Sequence, residues 1–150
     1  HDLIDAVFAA GREQDIVRLL ERVRALQTFV ETPEGANLLA GYKRAANILK
    51  KENWNGGRRQ TFFSYTPEKD EEALDSALDV AEPAAADALK REDYQSAMKV
   101  LAGLRAPVDA FFDNVTVNDA DPHKRETRLI LLSRLRYAVD AVADFSRIEG

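Results

Sequence analysis

Apolar residues recur at helical spacing on both sides of a polar elbow in the last third of the chain, residues 106–150. Before the elbow, apolar residues at i, i+3, i+4 and i+7 share one helix face. They are Val108, Phe111, Phe112 and Val115. After the elbow, Asp121 and Pro122 are typical of a helix N-cap and first helical position. The second apolar stripe consists of Leu132, Leu135, Val139 and Val142. The pattern predicts a C-terminal helical hairpin.

The same spacing continues through the rest of the chain and predicts an all-α protein. Thr32 and Pro33 repeat the signal of a capping residue followed by a first-position proline. Pro83 is expected to kink or split the helix that contains it. Upstream of the hairpin, helices are predicted at residues 2–10, 15–30, 32–52, 68–90 and 92–105. No alternation long enough for a strand competes with them. We predict one domain, residues 1–150, folded as a single bundle of about six or seven helices.

Composition excludes several classes of function. The chain has no cysteine, so disulfides, thiolate nucleophiles and thiolate metal sites are excluded. No apolar run approaches the roughly 20 residues that span a bilayer, and we predict a soluble, cytoplasmic protein without a membrane partner. The chain begins inside an apparent helix and its only methionine is Met98. We therefore expect it to be part of a longer protein.

Catalytic and metal-binding patterns are also missing from the sequence. A nucleophilic triad would need a histidine, and only His1 and His123 are present; no glycine-rich phosphate loop occurs. Asp119, Asp121 and His123 alternate in the elbow, but their spacing matches no metal-binding loop. Asp121 is better used as an N-cap. We predict no catalytic residue and no metal site in this chain.

Charged residues are segregated along the sequence. The net charge of -5 argues against a general nucleic-acid coat protein, because such binding depends on neutralising phosphates. Residues 42–59 nevertheless contain six basic residues and one acid, whereas residues 68–82 contain seven acids and one lysine. The distribution predicts a polarised surface, with a cationic flank and an acidic flank that keeps nucleic acid away.

One helix predicted in the cationic stretch carries its polar residues on the arc opposite its apolar residues. These polar residues are Lys43, Arg44, Asn47, Lys50 and Lys51. A phosphate backbone fits along such a face. The alternative is an ordinary solvated face without a ligand.

The following loop, residues 53–67, mixes arginines with aromatic rings. Arg58 and Arg59 precede three of its four rings, which belong to Trp54, Phe62, Phe63 and Tyr65. Aromatic side chains next to cations can stack unpaired bases, but they can equally well cover a core. Of these two interpretations we favour packing over the bundle.

Three stretches of the sequence together resemble a known family. They are GYKRAANILKK at residues 41–51, APVDAFFDNV at residues 106–115, and the helix from Arg128-Leu129 to VADFS at residues 142–146. In order and spacing they are similar to the C-terminal end of the beta subunits of bacterial glycyl-tRNA synthetases, the tetrameric two-subunit enzymes. The resemblance covers nearly the whole chain.

The resemblance implies a helical anticodon-binding domain of the DALR type that contacts the anticodon stem-loop of tRNA-Gly. It also implies that the protein partners of this domain are the remainder of the beta subunit and the alpha subunit. Activation of glycine with ATP would reside on the alpha subunit, so no cofactor is expected in this domain. Relatives are expected to have asparagine where this chain has Thr127, which weakens a functional role at that position.

The resemblance and the charges together give a hypothesis for RNA binding. The phosphates of the anticodon stem would be held by Lys43, Arg44, Lys50 and Lys51, and the neighbouring end of the hairpin would be lined by Arg125, Arg128 and Arg136. Asn47 is placed to read a base edge. Glycine anticodons share two cytosines, whose amino groups could donate to Asn47, to a backbone carbonyl or to a carboxylate. For Arg128 the alternative is an ion pair across the hairpin with Asp109 or Asp113.

A second class of function also fits the sequence. The chain could be a non-catalytic helical module that docks onto another protein through the loop between Trp54 and Tyr65. Under that interpretation, substitutions in the aromatic loop would abolish partner binding, and substitutions of Lys43 or Lys50 would leave it unchanged.

Overall fold

The computed structural model describes residues 16–56 and 59–142, with side chains from residue 20 onward. Within these ranges it contains six helices and no strand, which confirms the all-α prediction. They are α1 (Ile16–Glu31), α2 (Pro33–Lys51), α3 (Lys69–Lys90), α4 (Tyr94–Ala102), α5 (Arg105–Asn114) and α6 (Pro122–Asp140). Some of these helices are separated by only one or two residues, so that adjoining helices can also be counted as one. Counted in that way, the described helices are slightly fewer than the six or seven predicted. The helix predicted at residues 2–10 lies outside the described residues.

Two of the predicted helix starts are confirmed in detail. Thr32 caps α2 by accepting a hydrogen bond on Oγ1 from the backbone N–H of Gly35 at 3.0 Å. Asp121 caps α6 by accepting one from the N–H of His123 at 2.9 Å. A proline follows each cap, at a position where the missing N–H would have no intrahelical acceptor.

Two further prolines, Pro83 and Pro107, lie within helices rather than between them. Pro83 lies inside α3, which continues without interruption from Lys69 to Lys90, so a split at this residue is wrong. Leu78 and Ala85 are buried on either side of it, and this packing holds the helix together although Pro83 removes one backbone hydrogen bond. Pro107, which from the sequence suits a first helical position, is the third residue of α5. It still falls in the first turn, where a proline is tolerated.

The central element of the bundle is α6. Every residue from 127 to 135 is buried, so this helix is covered on more than the single side that its apolar stripe suggested. It packs mainly against α2 and α3, and α5 also packs against these two helices. The predicted C-terminal hairpin is therefore wrong, because α5 and α6 do not pack closely on each other. Phe112 instead lies beside Gly41 of α2.

Gly41 allows α2 and α5 to approach each other closely. A Cβ atom built at this position would lie 2.8 Å from Cγ1 of Val108, which is itself buried with 1% exposure. We therefore expect Gly41→Ala to lower the free energy of unfolding by about 1 to 2 kcal/mol, because the extra methyl overpacks the contact. Urea denaturation followed by circular dichroism would measure this loss. The double variant Gly41→Ala/Val108→Ala should recover part of it, and a stability equal to that of the unaltered chain would contradict the close approach.

Candidate nucleic-acid interface

The polar face of α2 lies at the protein surface, opposite the face that α2 buries. Leu38, Tyr42, Ala45 and Leu49 form the buried side. We call the opposite side the cationic face; it consists of Lys43, Arg44, Asn47, Lys50 and Lys51. Lys43 is half-buried and the other members are exposed. A shallow groove runs along this face, lined by Ala40, Lys43, Arg44, Asn47, Ile48 and Lys51. These side chains are accessible to a ligand, and their contact with RNA stays a prediction.

The cationic face rests on a firmly held helix. The Tyr42 hydroxyl donates to Oδ1 of Asp140 at 2.6 Å and so fixes α2 to the end of α6. The guanidinium of Arg44 lies over the ring of Phe112, with its central carbon 4.5 Å from the ring centroid. This cation–π contact restrains Arg44 without using its charge in an ion pair. The face is thus partly pre-organised for an anionic ligand.

Arg125 and Arg136 occupy different parts of α6. Arg125 lies near the C-terminal end of α2, where its Nη1 is 3.4 Å from Oε1 of Glu52. Its side chain is 45% exposed, so it extends the surface around the end of the cationic face. Arg136 is half-buried, about three helical turns further along α6, with its guanidinium 5.8 Å from the ring centroid of Tyr137. The structure therefore brings Arg125, rather than Arg136, to this end of the cationic face.

Arg128 is buried, which contradicts its assignment to RNA binding. Its side chain is 1% exposed, and its Nε donates to Oε2 of Glu71 at 3.0 Å. Its two terminal nitrogens lie 2.9 Å from Glu68 and 3.3 Å from Asp119, and one of them also donates to the carbonyl of Thr116 at 2.6 Å. All N–H groups of the Arg128 guanidinium have acceptors within the protein, so none of them is directed to solvent and the predicted RNA contact of Arg128 is wrong.

The ion-pair alternative for Arg128 is correct in kind but not in its partners. The sequence suggested Asp109 or Asp113 of α5, whereas the partners come mainly from α3. Asp109 instead lies 3.3 Å from Arg105 in its own helix. The reason is topological: α6 packs against α3, and the expected hairpin with α5 does not form.

Arg134 is another buried arginine of α6, and its burial was not predicted from the sequence. Its side chain is 2% exposed, and its nitrogens lie 2.7 Å from carboxylate oxygens of three residues of α3. These are Asp75, Asp79 and Glu82. Its Nη1 also donates to Oγ1 of Thr61 at 2.7 Å. Arg134 therefore joins α6 to both α3 and the aromatic loop.

These two arginines change the interpretation of the acidic segment. Five of the seven acids in residues 68–82 pair with Arg128 or Arg134; they are Glu68, Glu71, Asp75, Asp79 and Glu82. They are spaced three or four residues apart and so lie along one side of α3. The predicted acidic flank is thus largely a face of ion pairs with α6, in which Glu71 is buried and the other four acids keep part of their side chain exposed; we call it the acidic ladder. Its spacing, together with two arginines within an apolar helix, is the sequence signal that could have identified it.

The ion pairs decide the protonation of this region. Burial opposes the charged form of Glu71, but hydrogen bonds from Arg128 and Tyr65 outweigh it and lower the pKa of the Glu71 carboxyl. The pKa of Tyr65 is raised, first by burial and then by its hydrogen bond to the Glu71 carboxylate. Burial likewise disfavours the charged form of Arg134, yet the carboxylates of Glu82 and Asp79 raise its pKa. The pKa of Arg128 is raised as well, and both Arg128 and Arg134 are therefore held in their charged form.

The aromatic loop packs partly over the bundle. Trp54, Phe63 and Tyr65 are half-buried, as the packing interpretation predicts. Phe62 differs, since it is 76% exposed. Arg59 lies over the Trp54 ring at 5.1 Å, and Arg58 falls outside the described residues. The packing interpretation therefore covers three of the four rings.

The carboxylates of the elbow before α6 are used in structural contacts. Asp121 caps the helix, and Asp119 accepts a hydrogen bond from the N–H of Asp121 while pairing with Arg128. In the described ranges, 16–56 and 59–142, no group of three or more histidine, aspartate or glutamate side chains is arranged to hold a metal ion. Over the same part of the chain, no helix has the length and apolar character needed to cross a membrane.

Relatives of this chain carry a common name. It is 49% identical over 159 residues to the glycine–tRNA ligase beta subunit of Rhodospirillum centenum, and 47% identical over 152 residues to that of Phenylobacterium zucineum. The subunit of the same name from Paracoccus denitrificans is 45% identical over 155 residues. Each alignment covers 100% of this chain but only 22%, 23% and 22% of the respective relative. The chain thus spans less than a quarter of the length of these proteins.

The family comparison covers the cationic face and the bundle that carries it. The profile of the DALR anticodon binding domain matches residues 38–143, from the middle of α2 to just beyond α6. This range is more than half of the 150 residues and includes every helix from α3 to α6. The chain therefore belongs to the DALR anticodon binding domain family.

Proposed function

We propose that this chain is the anticodon-binding module of a glycine–tRNA ligase beta subunit and that it binds the anticodon stem-loop of tRNA-Gly. The family and the shared name of its relatives support this assignment. The observation that carries it is the cationic face, which stays accessible while the five acids of the acidic ladder are engaged in ion pairs with Arg128 and Arg134. In this proposal the module supplies binding energy and position. Activation of glycine with ATP takes place in the rest of the enzyme, including an alpha subunit.

The spacing of the cations suits a phosphate backbone. Lys43 and Arg44 lie about 10 Å from Lys50 and Lys51 along the axis of α2, since seven residues separate the two pairs. Cations this far apart can contact different phosphates of one RNA strand. Phosphate contacts of this kind fix the position of the RNA but carry no sequence information.

Asn47 lies between the two pairs of cations and is the candidate for sequence reading. It is exposed, and its amide offers both a hydrogen-bond donor and an acceptor. Its oxygen can accept from the amino group of a cytosine, the base that glycine anticodons share at their second and third positions. Unstacked loop bases present the edges that such a contact needs.

The salt dependence of tRNA-Gly binding tests the cationic face. When a lysine that contacts a phosphate is removed, binding releases one counterion fewer from the RNA. Lys50→Ala should therefore flatten the slope of log K against log salt by about one unit. Lys43→Ala should do the same. The measurement is a titration of tRNA-Gly with the intact ligase at several salt concentrations.

A lysine outside the cationic face provides the matched control for this titration. Lys90 is exposed at the end of α3, and Lys90→Ala removes the same charge without touching α2. Its slope should equal that of the unaltered ligase. If Lys43→Ala and Lys50→Ala also leave the slope unchanged, the assignment of this face is wrong.

A further inference from the structure

Side chains alternate between the protein and solvent along residues 61–67. Thr61, Phe63, Tyr65 and Pro67 are half-buried, and Phe62, Ser64 and Thr66 are exposed. The outward positions are thus polar except for Phe62, whose ring is 76% exposed. A ring of this size gains stability from burial, so the folded chain alone gives no reason for a phenylalanine at an outward position.

The backbone that carries Phe62 is held on both sides. The side chain of Thr61 accepts a hydrogen bond from Arg134 at 2.7 Å, and the carbonyl of Phe62 itself accepts one from Oγ1 of Thr127 at 3.5 Å. Further along the loop, the hydroxyl of Tyr65 donates to the buried carboxylate of Glu71. The ring is therefore presented outward from an anchored backbone, which lowers the entropy lost when a ligand stacks on it.

The surroundings of Phe62 are cationic and adjoin the cationic face. Arg59 bridges to Glu126 of α6 at 3.3 Å, and Lys124 lies 5.7 Å from the centroid of the Tyr65 ring. Arg125, in the same turn of α6, reaches Glu52 just beyond Lys51 of α2. Both ion pairs, Arg59–Glu126 and Arg125–Glu52, involve an arginine that is 45% exposed, so they contribute little and can exchange for phosphates.

We propose that Phe62 is a stacking platform for an unpaired nucleobase of the RNA that lies on the cationic face. This inference rests on the proposed function and adds a residue to it. An exposed aromatic ring next to arginines and lysines is the arrangement by which proteins hold single-stranded bases, with the ring contacting the base and the cations contacting its phosphates. The stacked base belongs to the loop, because bases in a paired stem are not available to a side chain.

Charge decides between a nucleobase and a protein as the occupant. A protein docking site typically has few charged residues at its centre. Arg59 lies three residues before Phe62 in the loop, and Lys124 and Arg125 lie in the turn of α6 before Thr127, whose hydroxyl contacts the Phe62 carbonyl. With Lys50 and Lys51 at the adjoining end of α2, these are five cations against the two acids Glu126 and Glu52. This excess of positive charge matches an RNA loop.

The test compares Phe62→Ala with Phe62→Trp in the intact ligase. An anticodon stem-loop carrying 2-aminopurine in place of a loop base reports stacking through its fluorescence. We expect Phe62→Ala to weaken binding about tenfold, to reduce the fluorescence change, and to leave the salt slope unaltered, since no charge is lost. Phe62→Trp should retain affinity. Val80→Ala, which trims a side chain that is 71% exposed on α3, should change neither quantity.

The outcomes separate this inference from the function on which it rests. If Lys50→Ala flattens the salt slope but Phe62→Ala keeps full affinity and fluorescence, stacking is refuted and the cationic face stands. If Phe62→Ala weakens only the assembly of the ligase, the ring is a protein contact and the inference is overturned. Failure of the unaltered ligase to bind the stem-loop would overturn both.

Discussion

Replacing Arg134 with methionine is expected to lower the free energy of unfolding by about 3 kcal/mol, because it leaves carboxylates without their partner inside the fold. The guanidinium holds Asp75, Asp79 and Glu82 at 2.7 Å each, and it is 2% exposed. Asp75 and Glu82 are only 25% and 19% exposed, so water can replace little of what they lose. Asp79 is 50% exposed, which keeps the loss near the lower end for a buried pair. Equilibrium denaturation in urea would measure it.

Arg136→Met is the matched control for this substitution, since it makes the same change two residues later in α6. Arg136 is half-buried and lies against the ring of Tyr137 rather than among acids. Its loss should cost less than about 1 kcal/mol. In the Arg134→Met chain, Asp79→Asn should recover part of the stability by removing one of the facing charges. Equal losses for the two arginine variants would show that the Arg134 cluster does not stabilise the fold.

Features that depend on neighbours in the sequence could be predicted. The caps at Thr32 and Asp121 require only the residues of the first helical turn. The cationic face of α2 required only the angular position of each residue on one helix, which follows from the helical period. The bounds of α2, to within one residue, and the start of α6 were correct for the same reason.

Features that depend on which helices meet could not be predicted in this way. The periodicity of α6 shows that the helix is apolar, but not whether α5 or α3 covers it. The choice of α3 brings Glu71 to Arg128, although 57 residues separate them in the sequence. It also explains the error about the acidic flank, because acids that look solvent-facing along α3 are the partners of buried arginines.

The same ion pairs connect the core to the surface that we assign to RNA. Arg134 contacts Thr61, Arg128 contacts Glu71, and Glu71 accepts from Tyr65. Each contact holds a residue of the aromatic loop or its buried support. Arg128 and Arg134, which are buried, thus hold the loop that carries Phe62 in position.

Glu71→Gln is expected to lower the free energy of unfolding at pH 7 by about 2 to 3 kcal/mol, because it replaces a charge-assisted hydrogen bond in a buried site with a neutral one. Glu71 has 0% exposure and receives donors from Arg128, Tyr65 and the N–H of Glu68. Arg128 keeps Glu68 and Asp119 as partners, which limits the loss.

The pH dependence of stability distinguishes this carboxylate from its neighbours. The pKa of Glu71 is lowered in the folded chain from the ordinary value of 4.5, so its stabilising effect is fully present above about pH 4.5. This effect is lost as the pH falls through the folded pKa. Over that range, the difference in free energy of unfolding between the unaltered chain and Glu71→Gln should narrow. Glu72→Gln, at the exposed next position, should give a curve parallel to that of the unaltered chain. A constant difference for Glu71→Gln down to pH values where the chain unfolds would mean that Arg128 does not hold Glu71 ionised.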